Sequence, residues 1–294
     1  MLDNLELRHA QRFATRQARL IAGELYPGPV LMPRGMLRAL DPVLATALGP
    51  AQKPREAFQI ACEDLLRGRP NGPLLLTLWM SATAGEIDHQ LLRRLLELMP
   101  TPMPDRLETR KDLLAHIAPK AECIAMWALA LAKRNQEEAI GPATQLGCGF
   151  VITRLITDLP SALSANHVYL PNEDLVLAGA TTEDLIAGVR TPAVNDFLAR
   201  ECAWARQLLD EGLPVCNEVG ARMSRGLRAA VLRARELLNR IEDPRRDLFR
   251  RPTLLSPRAR LSCAVRAWWQ VRAETASPPS PEKEYPSSEC PLSS

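Results

Sequence analysis

Apolar residues recur at helical spacing along most of this chain, and the alternation typical of β-strands is nearly absent. The segment 55–68, REAFQIACEDLLRG, has Phe58, Ala61 and Leu65 on one helical face and Gly68 as a stop signal. Because Ala, Leu, Arg and Glu also dominate the other segments, the sequence predicts an all-α fold. Further helices are predicted within 73–86, 85–100, 109–134, 139–157, 191–214, 224–244 and 256–274.

Prolines and small polar residues set the expected helix boundaries. Pro119 predicts a kink or joint within the long segment 109–134, because proline removes a helical hydrogen bond. The stretch 24–54 is rich in proline and glycine, which predicts short or broken helices there. Thr191 and Ser224 each precede a helical segment and are suited to cap its N-terminus.

Length and composition favour one large helical unit. The chain is 46% hydrophobic and 24% charged, which supplies enough apolar surface for a sizeable core. We expect a single domain over residues 1–272, followed by a disordered tail over 273–294 that is rich in Pro and Ser. With 37 basic and 34 acidic residues, the net charge of +3 does not favour a nucleic-acid partner.

The cysteines and the N-terminus bear on the compartment. The seven cysteines lack disulfide or zinc spacing, so we expect reduced and mostly buried thiols, as in a cytoplasmic protein. The charged N-terminus lacks a signal-peptide core, and the apolar uncharged run 123–132 is shorter than the roughly 20 residues of a membrane span. We therefore expect no transmembrane segment. The basic stretch 245–261 could contact anionic lipid headgroups or an acidic protein, which leaves membrane association open.

Three motifs occur in a fixed order. The sequence reads GRPNGPLL at 68–75 and DLFRRPTLLS at 247–256. Between them, residues 146–175 read LGCGFVITRLITDLPSALSANHVYLPNEDL, with Asp158 alone in an apolar stretch. In this order the motifs resemble those of the squalene/phytoene synthase family, and the resemblance extends over about residues 35–272.

The resemblance implies an all-helical isoprenoid-synthase fold, a single domain whose helices surround a central cavity. It also implies two aspartate-rich helices that hold magnesium ions across that cavity. These ions would bind the diphosphate of farnesyl or geranylgeranyl diphosphate while two prenyl chains are joined head to head. Magnesium suits this role because it takes oxygen ligands and neutralises the leaving group. Two carboxylates four residues apart share one helical face and can bind it together.

The second aspartate motif is degenerate in this chain. Asp158 stands at the first aspartate position, but Ala162 occupies the second position, four residues on. Arg154 and Thr157 stand where the family has asparagine and arginine, whereas Tyr169 is retained. We therefore predict a vestigial diphosphate or metal site formed by Asp158, Arg154 and Tyr169. Asp158 is its one candidate metal ligand, and no residue is assigned a catalytic role.

The first aspartate motif is missing from the region where the family carries it. Within 35–55, Asp41 stands alone and is followed by Pro42. The one D-x-x-x-D pattern in the chain, Asp243 with Asp247, lies in an arginine-rich segment that reads as a loop. We expect that pair to be structural or solvated. Two other acidic pairs point to different sides of their helices: Glu63 with Asp64, and Glu86 with Asp88.

Asp158 has three interpretations. It could bind a single magnesium ion, or it could end the helix with Pro160 in the following turn. It could also pair with Arg154 one helical turn earlier, so that a fixed cation replaces a divalent metal. We favour the ion pair, because Arg154 is the unexpected charge in an otherwise apolar segment.

Two functions are compatible with these motifs. The first is a non-catalytic family member that has lost the magnesium–diphosphate machinery and binds a prenyl lipid or acts as an assembly partner. The second is a divergent prenyltransferase that uses magnesium and holds a prenyl diphosphate in an apolar cavity. The degenerate aspartate motifs favour the first.

Overall fold

The fold is seen in a computed structural model of the chain. The structure describes residues 4–26, 32, 34–48, 55–98, 103–104, 106–134, 136–249 and 253–276, and every regular element in these ranges is helical. The predicted all-α class is therefore confirmed. The last helix continues to Ala276. The rest of the predicted tail lies outside the described residues.

The first half of the chain contributes α1 (Asn4–Ala22), a short 3-10 helix (Gly23–Leu25), α2 (Arg34–Leu48), α3 (Arg55–Leu66), α4 (Pro73–Ala84), α5 (His89–Leu98) and α6 (Arg110–Leu131). The second half contributes α7 (Gln136–Thr157), α8 (Leu159–Ser164), α9 (Asn172–Ala178), α10 (Thr182–Ile186), α11 (Pro192–Gly212), α12 (Val215–Glu218), α13 (Ala221–Glu242) and α14 (Pro257–Ala276).

Helix α7 is central, because it packs against both α6 and α11. Its Ile152 and Phe197 of α11 are fully buried in one large apolar core. Two glycines let α7 and α11 approach closely: a Cβ on Gly149 would lie 2.9 Å from Cγ of Leu209. A Cβ on Gly212 would overlap the backbone of Leu146. This tight contact fixes the middle of α7 against the C-terminal half of α11.

Two prolines lie inside continuous helices, so no joint divides the segment 109–134 at Pro119. Helix α2 runs through Pro42, and α6 runs through Pro119 without ending. Each proline forfeits a hydrogen bond, yet buried neighbours such as Val43 and Ile117 anchor both sides of the helix. Packing therefore outweighs the roughly 3 kcal/mol that proline costs inside a helix. The predicted cap Ser224 is also misplaced, since it lies within α13 and is buried.

Other predicted boundaries are confirmed. The hydroxyl of Thr191 accepts a hydrogen bond from the backbone N–H of Val194 at 3.2 Å and caps α11. Helix α7 ends at Thr157, and α8 begins at Leu159 with Pro160 in its first turn. The six cysteines that the structure describes are all buried thiols, as the sequence analysis predicts.

Two helices, α6 and the segment Glu137–Thr157 of α7, are long and apolar enough to cross a membrane by length and composition alone. In the fold they pack against each other, and 39% of each apolar window is buried. A core helix of a soluble protein passes the same test, so this finding is weak evidence for a membrane span.

Candidate functional site

Asp158 lies at the junction of α7 and α8. Its carboxylate oxygen Oδ2 forms an ion pair with Nε of Arg154, one turn earlier on α7. The ion pair predicted between these residues is therefore present. Burial raises the pKa of Asp158, and the charge of Arg154 opposes that rise. Asp158 precedes α8 but makes no side-chain capping hydrogen bond, so its carboxylate serves the ion pair and not the helix end.

The Arg154–Asp158 pair lines a cavity of about 230 Å³. Gly23 faces the guanidinium of Arg154 so closely that a Cβ there would overlap it. Gly23 also has a φ of 52°, a left-handed conformation that favours glycine. The guanidinium therefore occupies space at the cavity wall. The other lining residues are Ala22, Glu24, Leu25, Thr157, Leu237, Thr253 and Leu254.

The chain segment after α1 closes one side of this cavity. Arg260 of α14 donates to Oε1 of Glu24 at 2.5 Å. Arg233 of α13 donates to the backbone carbonyl of Tyr26 at 2.8 Å. These long-range contacts hold the N-terminal segment against the C-terminal helices. The sequence alone does not predict a role for residues 1–35, because the contact partners of Glu24 and Tyr26 lie more than 200 positions away.

Asp41, the lone acid of the first motif region, is 1% exposed. Its carboxylate accepts hydrogen bonds from the Thr15 hydroxyl at 2.6 Å and the Tyr26 hydroxyl at 2.9 Å. Burial raises the pKa of Asp41, although both hydrogen bonds act to lower it. Burial and the neighbouring Asp41 also raise the pKa of Tyr26. Both carboxylate oxygens of Asp41 therefore bind protein donors.

Tyr169 is placed apart from the other two predicted site residues. It is not among the described residues that line the cavity. Its ring stacks on His167, with ring centroids 5.5 Å apart. The loop 169–171, which begins with Tyr169, is anchored near the start of α6, because the N–H of Asn172 donates to the carbonyl of Leu107 at 2.9 Å. These contacts give the loop a structural role.

A second group of ionisable residues lies between α6, α9 and α11, where Asp174 and Glu201 are buried and Arg110 is partly exposed. Arg110 donates two hydrogen bonds to Asp174, from Nε at 2.8 Å and from Nη2 at 3.0 Å. Its guanidinium lies 4.8 Å from the ring centroid of Trp204. Glu201 beside them is fully buried. Burial and the neighbouring Asp174 raise the pKa of Glu201 to about 9, which makes it a neutral acid at pH 7. A protonated Glu201 can donate a hydrogen bond to Asp174, whereas an ionised Glu201 would leave both buried carboxylate oxygens without a hydrogen-bond partner.

Sequence reasoning missed this cluster, since its members come from three separate segments. The one available signal was an acid, Glu201, within the apolar face of a helix that also carries Phe197, Leu198 and Ala205. A buried acid of this kind needs a nearby partner.

The raised pKa of Glu201 predicts a pH-dependent stability. Between its usual value of 4.5 and about 9, the folded chain binds a proton that the unfolded chain releases. The free energy of unfolding should therefore fall as the pH rises, on the order of 1 kcal/mol per pH unit. Replacing Glu201→Gln keeps a neutral donor and should remove this slope. Urea unfolding between about pH 6 and pH 8 measures it.

The exposed Glu211 lies on the same helix, so Glu211→Gln is the matched control and should keep the slope of the unchanged chain. An unchanged slope in the Glu201→Gln chain would contradict a neutral Glu201.

The family's magnesium does not fit these residues. Among the described residues, no three His, Cys, Asp or Glu side chains come together as a metal-binding group. Asp158 is paired with Arg154, and Asp41 is occupied by two hydroxyl donors. In the D-x-x-x-D pattern of Asp243 and Asp247, the carboxylate of Asp243 accepts a hydrogen bond from the N–H of Arg245 at 3.0 Å, in the turn that follows α13. Its loop position agrees with the structural role expected for that pair.

Comparison with solved structures identifies the class of fold. The chain superimposes on a dehydrosqualene synthase crystal structure with a TM-score of 0.73, at 18% identity, over 92% of this chain and 99% of that one. It superimposes on a squalene synthase from Alicyclobacillus acidocaldarius with a TM-score of 0.67, at 20% identity, over 81% and 95% of the two chains. These matches establish the predicted isoprenoid-synthase fold.

Sequence comparison identifies the family. The squalene/phytoene synthase family profile matches residues 29–262, and the chain belongs to that family. Phytoene synthase 1 of Arabidopsis thaliana is 26% identical over 64% of this chain and 46% of its own length. Phytoene synthase of Thermus thermophilus is 30% identical over 54% of this chain and 55% of its own length. The chain thus spans about half the length of these relatives.

Proposed function

We propose that this chain is a non-catalytic member of the squalene/phytoene synthase family that binds a lipid or a protein partner. One observation carries the proposal: Arg154 neutralises Asp158 within the protein. A metal ion would have to displace a guanidinium that already provides the opposite charge. Because the guanidinium is covalently attached one turn away, it competes at a high local concentration.

The chemistry of the family's reaction supports this proposal. Ionisation of an allylic diphosphate places several negative charges on the leaving group, and divalent cations neutralise them effectively. Arg154 carries one positive charge, and the ion pair with Asp158 already uses it. At the opposite motif, Asp41 is buried and hydrogen-bonded to Thr15 and Tyr26. The described residues therefore offer no paired carboxylates for a magnesium–diphosphate complex.

The small size of the cavity argues against the simultaneous binding of two prenyl diphosphates. Its volume of about 230 Å³ is below the roughly 300–1,000 Å³ typical of small-molecule sites. Head-to-head condensation needs space for two prenyl chains and their diphosphates at once. A cavity of this size suits a single short apolar segment, such as part of one prenyl lipid.

The names of the relatives favour the second candidate, a divergent prenyltransferase, because several of them are called phytoene synthases. Turnover of prenyl diphosphates separates the two functions. We expect the full chain, incubated with labelled farnesyl or geranylgeranyl diphosphate and Mg²⁺, to release diphosphate only at the background rate. The phytoene synthase of Thermus thermophilus, assayed alongside, controls for active substrate. Release well above background would overturn the proposal and favour the prenyltransferase.

A further inference from the structure

The outer face of α14 is apolar and open to solvent. Leu261, Val265 and Trp269 recur at four-residue spacing along this face, with exposed fractions of 66%, 46% and 60%. Trp268 beside them is 38% exposed and meets Trp269 edge to face, with ring centroids 5.1 Å apart. Isolated exposed apolar residues are ordinary, but a contiguous stripe containing two tryptophans indicates a binding surface.

Arginines flank this stripe. Arg258, Arg266 and Arg272 are exposed on the same helix, and residues 257–273 contain no Asp or Glu. The guanidinium of Arg272 lies 5.2 Å from the ring centroid of Trp268. The surface therefore combines apolar side chains with a uniformly positive charge, which fits an anionic partner.

The opposite side of α14 is firmly held in the fold. Cys263 and Ala267 are buried against Ala229 and Leu232 of α13. Arg260, although its side chain is 46% exposed, pairs with Glu24 of the N-terminal segment. The outward orientation of the tryptophan stripe is thus set by packing on the inner side, and the helix can meet a partner without rearranging.

We propose that this face of α14 binds the surface of an anionic lipid bilayer. Tryptophan favours the boundary between headgroups and acyl chains, where its ring is apolar and its N–H remains hydrated. Arginine extends its charge to the headgroups while its aliphatic stem covers apolar surface. A helix with this composition lies in the plane of the interface. The inference does not depend on the proposed function, since an active prenyltransferase could carry the same face.

Co-sedimentation of the full chain with vesicles tests this proposal. We expect binding to vesicles in which roughly a third of the lipid is phosphatidylserine, and weak binding to phosphatidylcholine alone. The triple replacement Arg258→Gln, Arg266→Gln and Arg272→Gln should weaken binding about a hundredfold. The double replacement Trp268→Ser and Trp269→Ser should weaken it by about tenfold or more. Tryptophan emission of the unchanged chain should shift to the blue when anionic vesicles are added.

A matched control uses another exposed apolar pair, Val176 and Leu177 of α9, which are 69% and 65% exposed. Replacing both with serine should leave vesicle binding unchanged. Because all substituted residues are exposed, circular dichroism should give the same melting curve for every variant. The proposal fails if anionic vesicles do not bind the chain, or if the control weakens binding as much as the tryptophan variant. It also fails if the tryptophan variant abolishes self-association in ultracentrifugation while vesicle binding persists.

Discussion

Replacing Asp174→Ala is expected to lower the free energy of unfolding by about 3 kcal/mol. Asp174 has a side chain that is 4% exposed and accepts both hydrogen bonds from Arg110. Without Asp174, Arg110 keeps its charge in a partly buried site beside Trp204. The protonated Glu201 also loses Asp174 as a hydrogen-bond acceptor. Removing one partner of a buried ion pair costs more than the pair contributes, because the remaining charge stays desolvated. Urea unfolding measures the change.

The control for this prediction is an exposed ion pair on α11. Arg200 donates to Asp196 at 2.7 Å, and their side chains are 42% and 51% exposed. Asp196→Ala should lower the free energy of unfolding far less than Asp174→Ala does, because solvent screens the lost attraction. Equal losses in the two variants would mean that burial does not control the strength of the Arg110–Asp174 pair.

The helices could be predicted from the sequence because their determinants are local. Apolar periodicity located most of them, and Thr191 and Pro160 marked real boundaries. Helix boundaries are harder to predict from the sequence where a local preference opposes packing. Pro42 and Pro119 both lie inside continuous helices whose buried faces compensate for the missing hydrogen bond. A single sequence does not reveal that compensation, because the packing partners are distant in the chain.

The same distinction applies to the candidate site. Arg154 and Asp158 are four residues apart on one helix, so their ion pair could be predicted from spacing alone. The two donors to Asp41 are more distant in the sequence: Tyr26 lies 15 positions before it, and Thr15 lies 26 positions before it. Glu201 meets Asp174 and Arg110 only because three helices converge. No periodic pattern in the sequence encodes these contacts.

On the proposed function, the ion pair takes the place of a metal site of this family. A guanidinium one turn before Asp158 supplies a positive charge beside its carboxylate. Gly23 leaves the space that the guanidinium occupies. The guanidinium therefore neutralises the carboxylate of Asp158 within the cavity wall.

A metal site should be recoverable by two substitutions. Arg154→Asn removes the competing cation, and Ala162→Asp adds a carboxylate four residues after Asp158. The N–H of Ala162 donates to the carbonyl of Asp158 at 3.0 Å, so the backbone between them has helical spacing and the two carboxylates would share one face. We expect Mn²⁺, which accepts the same oxygen ligands as Mg²⁺, to bind this double variant about tenfold or more tightly than the unchanged chain.

The single variant Ala162→Asp, which retains Arg154, is the control for that gain. Arg154 can pair with either carboxylate, so this variant should bind Mn²⁺ much more weakly than the double variant. Equal affinity in the two variants would mean that Arg154 does not compete with the metal.

The central claim is that Arg154 occupies the place of a metal at Asp158. A Mn²⁺ titration of the unchanged full chain, followed by electron paramagnetic resonance of the hydrated ion, tests it most directly. The account predicts that the signal of hydrated Mn²⁺ grows in proportion to the metal added. Saturable loss of that signal, abolished by replacing Asp158→Asn, would contradict the account.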